Sequence, residues 1–123
     1  MKLRLLTHAE RDLRGSIQHL WPEFMQHDQV VSSFWPRLYD VYPDFQLWLL
    51  DGKATVGYAC SLPVRWDGVP EPRGLDWAMS NGAAGDPTTL CAVVIALQPS
   101  HRGQGLSEVI LRQIGRASCR ERV

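Results

Sequence analysis

The chain has 123 residues, 45% of them hydrophobic and 21% charged, which fits one ordinary globular domain. Thirteen basic residues balance thirteen acidic ones, so no net positive field is available to recruit nucleic acid or an anionic membrane. No apolar run approaches the roughly 18 residues needed to cross a bilayer, and the charged N-terminal stretch MKLRLLTHAERDLRG is unlike a secretory leader.

MKLRLLT alternates about Leu3 and Leu5 and predicts a first strand. Thr7-His8-Ala9-Glu10 has the spacing of a capping box, with the Thr7 hydroxyl accepting from the Glu10 amide and the Glu10 carboxylate reaching back. Ala9, Leu13, Ile17 and Leu20 then recur at helical spacing, predicting a helix that ends at Trp21-Pro22. Asp28 is placed to cap a second helical stretch with Val30, Phe34, Leu38 and Val41 on one side. Pro36 lies inside that stretch and predicts a kink or a split into two short helices.

Residues 45–50, FQLWLL, read as a strand. Asp51-Gly52 marks a hairpin, with Ala54 to Leu62 as the antiparallel partner. Residues 63–87 are rich in Pro, Gly, Asp and Asn and form a long connection, with one helical turn predicted near Leu75 to Met79. Thr89 to Leu97, TLCAVVIAL, has no polar face, which predicts a strand covered on both sides. Leu106, Val109 and Ile110 open a last helix. Cys60, Cys91 and Cys119 are odd in number and lack CxxC spacing. They fit a reducing cytoplasm and argue against a disulfide framework or a zinc site.

The chemistry concentrates where the apolar strand meets that helix, through Pro99-Ser100-His101-Arg102-Gly103-Gln104-Gly105-Leu106-Ser107. A helix start presents unpaired amides and about half a positive charge. Glycines let a phosphate approach those amides, and Arg102 adds a full charge. A Walker A loop is absent, and Glu108 occupies the third glycine position of a dinucleotide fingerprint.

Residues 97–101, LQPSH, followed by Arg102-Gly103-Gln104-Gly105-Leu106-Ser107, resemble the hallmark of the GCN5-related N-acetyltransferases: a strand ending in V-x-P-x-x, then [Q/R]-x-x-G-x-[G/A]. Ser107 departs from the last position. The element order β-α-α-β-β-β-α also resembles the N-terminal two thirds of that α/β fold, a mostly antiparallel mixed sheet whose later strands and helix are missing here. The resemblance implies acetyl transfer from acetyl-CoA to an amine acceptor. Arg102, Gly103, Gln104, Gly105, Leu106 and Ser107 would hold the pyrophosphate, and Ile95, Ala96 and Leu97 would offer backbone groups to the pantetheine arm and thioester. Partners expected are a small-molecule amine and, for the complete protein, a second copy of the chain.

The general base is not legible. Family members often place a glutamate on the fourth strand, and residues 89–97 contain no acid. Asp76, Glu23 and Asp28 are weak candidates, and each reads more readily as a cap or a surface charge. Trp66 and Trp77 would wall an acceptor pocket or simply pin the long connection. His101 is expected to stand in solvent. Two rival readings remain: a non-catalytic CoA-binding domain, and a structural α/β domain whose glycine turn binds nothing.

The final ten residues, IGRASCRERV, resemble a translated sequencing adapter, since ATC GGA AGA GCG TCG TGT AGG GAA AGA GTG encodes them in one frame. On that reading residues 1–113 are the N-terminal part of an acetyltransferase domain and residues 114–123 are a non-native tail. The chain as written is then expected not to turn over.

Overall fold

The computed structural model describes residues 1–21, 27, 29–82 and 86–120. Four strands form one antiparallel sheet in the order β1-β2-β3-β4. They are β1 (Leu3–Thr7), β2 (Leu47–Asp51), β3 (Ala54–Val64) and β4 (Thr89–Leu97). The helices are α1 (Gln29–Val41), a short α2 (Leu75–Trp77) and α3 (Leu106–Arg120). A π-helical turn, Ala78–Gly82, continues from α2.

Strand β2 has no polar position between Leu47 and Leu50 because both of its faces are covered. Trp48 and Leu50 join the core built with Trp35, Leu38 and Tyr39 of α1, whereas Leu47 and Leu49 join Leu106, Ile110 and Ile114 of α3. Two irregularities shift the phase of the neighbouring strands. Between β2 and β3 the register slips at Leu49/Leu50, leaving Val56 as an extra residue. Val56 therefore packs with the α3 core and Tyr58 with the α1 core. Between β3 and β4, Cys60 pairs with Val94 and Ser61 with Ala92, so Val93 is the extra residue.

The predicted first helix is absent. Two 3-10 turns, Arg14–Ser16 and Gln18–Leu20, stand in its place. The Glu10 carboxylate does accept from the Thr7 amide, at 3.1 Å. The Thr7 hydroxyl, however, donates to that carboxylate at 3.2 Å rather than accepting from the Glu10 amide, which bonds the Thr7 carbonyl at 3.1 Å. Downstream, Asp12 accepts from the Arg14 amide at 3.0 Å and Ser16 Oγ donates to the Leu13 carbonyl at 2.7 Å. These local bonds compete with helix, and Gly15 disfavours it by about 1 kcal/mol relative to alanine. Ile17 and Leu20 are buried all the same.

Helix α1 runs unbroken through Pro36. Among its described side chains the buried ones are Trp35, Leu38 and Tyr39, while Val41 is 52% exposed. The aromatic side chains set this orientation: Tyr39 stacks on Trp48 with centroids 5.9 Å apart and planes 5° from parallel. Asp28, read as its cap, lies outside the described residues.

Phe45 and Gln46 do not begin β2. Phe45 ends a 3-10 turn, Pro43–Phe45, and Gln46 is wholly buried. Gln46 Nε2 donates to the carbonyls of Leu38, Tyr42 and Ser61, and Gln46 Oε1 accepts from the Ser61 amide at 3.0 Å. One side chain thus closes the last turns of α1 and the part of β3 that β2 is too short to pair.

Strand β4 keeps its expected bounds but is half-buried at the sheet edge rather than covered on both sides. Helix α3 continues past Gln113 through Ile114, which is 8% exposed, to Arg120. No helix among the described residues is long and apolar enough to cross a membrane.

Candidate functional site

The end of β4 and the start of α3 border a cleft of about 680 Å³. Its lining includes Ile95, Ala96 and Leu97 of β4, then Arg102 and Ser107 beyond it. The opposite wall is His19, Leu20 and Trp21, the second 3-10 turn and the residue after it. Tyr58 fastens that wall to the sheet, its hydroxyl donating to the Leu20 carbonyl at 3.2 Å. Sequence spacing assigns Leu20 and Trp21 only to a helix end and leaves His19 without a role. Their place in the cleft depends on tertiary packing.

The turn itself is built for exposed amides. Pro99–His101 is a 3-10 turn, Gly103 and Gly105 have φ of 75° and 76°, and α3 begins at Leu106. Both glycines stand in open space, so the left-handed backbone, not crowding, requires them. Among the described residues, the amides of Gly103, Gln104 and Gly105 find no acceptor in the chain. The first-turn amides of α3 are unpaired by the geometry of any helix.

Arg102 Nε donates to the Leu97 carbonyl at 3.0 Å, which holds the side chain beside the strand end. Among the described residues it has no carboxylate partner. The acid in the first turn of α3, Glu108, is drawn to Arg112 at 2.7 Å. Gln104 Nε2 donates to the Ser100 carbonyl at 3.3 Å. Leu106 differs from the rest: its side chain lies in the α3 core, 3% exposed, so only its backbone is available to a ligand.

His101 is not a solvent residue. Its Nε2 lies 3.0 Å from Asp51 Oδ2, and its Nδ1 lies 2.8 Å from Ser100 Oγ. Asp51 also accepts from the Lys2 amide. The His101 bond, then the Lys2 bond, hold its carboxyl below the usual carboxylate range. Serine, histidine and aspartate are joined here, but Ser100 does not line the cleft. The chain of bonds ties the glycine turn to the β2–β3 hairpin.

Gly57 sets the strand spacing beneath the cleft. A Cβ there would fall 2.8 Å from Leu97 Cδ2 and 2.9 Å from the Ala96 carbonyl oxygen. The leucine tip can turn aside, but the carbonyl belongs to the β4 backbone. Gly57→Ala is therefore expected to lose about 1–3 kcal/mol as an overpacked core change. A thermal melt checks this. A variant that melts with the parent would contradict the spacing argument.

Asp76 lies in α2, between Leu75 and Trp77, and does not line this cleft. Glu23 lies outside the described residues. Cys60 is buried, and burial pushes its thiol up to about 12. Burial also raises Cys91, so both behave as small apolar groups. No group of three or more metal-ligating side chains occurs among the described residues.

These elements define a GNAT-like α/β fold. Among solved structures, the loading GNATL domain of CurA from Lyngbya majuscula is similar to this chain with a TM-score of 0.58 and 18% sequence identity. The match covers 92% of this chain and 55% of that one, so the chain spans about half the length of the structure it resembles. An identity this low speaks for the fold alone. No protein-family model matches the sequence, and no curated protein does.

Proposed function

We propose that the cleft at the end of β4 binds the diphosphate and pantetheine arm of an acyl-CoA, and that the complete protein transfers acetyl from acetyl-CoA to an amine on a small molecule. The observation that carries this reading is the run of unpaired amides from Gly103 to Gly105. It opens a 15-residue helix beside a cation without a carboxylate partner among the described residues. This donor set fits a diphosphate: several N–H groups, a helix start and a guanidinium follow one another in the chain.

Beyond the diphosphate, Ile95, Ala96 and Leu97 supply the wall for the arm. In the transfer, the amine nitrogen attacks the thioester carbonyl, the C–N bond forms and the C–S bond breaks. The proton lost by nitrogen ends on the CoA sulfur. His19 is the imidazole in the lining of the cleft, and we assign it the proton-accepting role.

Calorimetric titration of the chain with CoA tests the binding reading. One equivalent is expected to bind, and Arg102→Ala is expected to weaken it about tenfold, the effect of losing one charge-assisted contact. Heat that does not saturate, or an unchanged affinity in the variant, would contradict it. Transfer is tested on the complete protein by thioester loss across an amine panel. CoA binding without transfer would leave the non-catalytic reading standing.

A further inference from the structure

A second cavity, of about 460 Å³, borders β4 further back along the strand. Cys91, Ala92 and Val93 form its β4 side, and Trp66, Trp77 and Glu71 of the long connection face them. The bulged Val93 is two residues from Ile95, which lines the acyl-CoA cleft. The two cavities thus follow one another along the same strand.

We infer that this second cavity holds the body of the acceptor, a diamine on an apolar or aromatic frame, with one ammonium group directed to Glu71 and the other nitrogen, the one that is acylated, reaching toward the acyl-CoA cleft. This inference rests on the acyl-CoA reading of the first cleft. Val64, Leu75, Ala78 and the indoles of Trp66 and Trp77 make most of the wall apolar, and among the described residues Glu71 is its one carboxylate. Trp66 is 41% exposed although its Nε1–H is already satisfied by the Val69 carbonyl at 2.7 Å. Its exposed face therefore has no local polar task, and an indole face attracts both apolar groups and cations. Both Arg73 contacts to Glu71 use Oε1, and the Arg73 side chain is 59% exposed. Such a surface pair is weak and leaves Oε2 to meet an ammonium group. The match of one carboxylate in an apolar, aromatic wall is to a hydrophobic amine rather than to a sugar or a polyanion.

The chain has five tryptophans, whose indole N–H signals give separate reporters in a proton–nitrogen correlation spectrum. Titration with 2-phenylethylamine is expected to shift the Trp66 and Trp77 signals saturably and to leave Trp35 and Trp48 unmoved. Glu71→Gln keeps an acceptor for Arg73 and should preserve the fold. It is expected to weaken the amine about fivefold, the worth of one exposed charge pair, and to leave 2-phenylethanol unaffected. Shifts confined to Trp21 and Trp35, no saturable shift, or equal losses for amine and alcohol in the variant would overturn the proposal. The test contains no CoA. Failure of the acyl-CoA reading would appear separately, as amides 95–97 and 102–107 that ignore added CoA.

Discussion

Gly105→Val is expected to remove measurable CoA binding while leaving the fold in place. Gly105 has a φ of 76°, and a β-branched residue held there costs about 1–3 kcal/mol. The loop can relieve that strain only by rotating the peptide units on either side, which turns the Gln104, Gly105 and Leu106 amides away from a shared point. A hydrogen bond from an amide to a charged acceptor contributes about 1.5–3 kcal/mol, so losing two weakens binding about a hundredfold or more. Packing barely enters, because no atom lies within 4 Å of an added Cβ. Gly115→Ala is the matched control: its surroundings are also open, it sits inside α3 with an ordinary helical backbone, and it should bind CoA like the parent. Calorimetry on both variants is decisive. A valine variant that binds within a few-fold of the parent would detach the glycine turn from phosphate recognition.

The largest loss of stability is expected from Gln46→Leu. Leucine is close to glutamine in size, so the change leaves little cavity. It does strip partners from the Ser61 amide and from the carbonyls of Leu38, Tyr42 and Ser61. Leaving one buried polar group unpaired costs about 1–3 kcal/mol. The Ser61 amide bears that in full, and the carbonyls less, since those of Leu38 and Tyr42 keep the amides of Tyr42 and Phe45. A total of roughly 2–4 kcal/mol follows, a large share of the 5–15 kcal/mol typical of a domain. Urea unfolding of parent and variant measures it. A difference below about 0.5 kcal/mol, the range of ordinary surface substitutions, would show that the side chain is not the link between α1 and β3.

The sheet was legible because its strands carry strong signals. Asp51-Gly52 marks the hairpin, and TLCAVVIAL reads as one strand whatever surrounds it. The candidate cleft was half legible. Gly103, Gly105 and Arg102 lie together in sequence and read as an anion-binding turn, but the opposing wall of His19, Leu20 and Trp21 comes from a distant segment. The missing first helix shows why: Leu13, Ile17 and Leu20 satisfy helical spacing, yet Asp12 and Ser16 make shorter-range bonds that spacing does not register. The same blindness hid Gln46, whose value lies in joining the carbonyls of Leu38 and Tyr42 to the backbone of Ser61, fifteen residues on, and Glu71, which sits in a connection without periodicity.

The central claim is that the turn from Arg102 to Ser107 receives the diphosphate of CoA. Mapping backbone amide shifts on adding CoA tests it most directly. The account predicts saturable changes concentrated on Gly103, Gln104, Gly105, Leu106 and Ser107, with smaller ones at Ile95, Ala96 and Leu97. Changes centred elsewhere, with the turn unmoved at saturation, would contradict it.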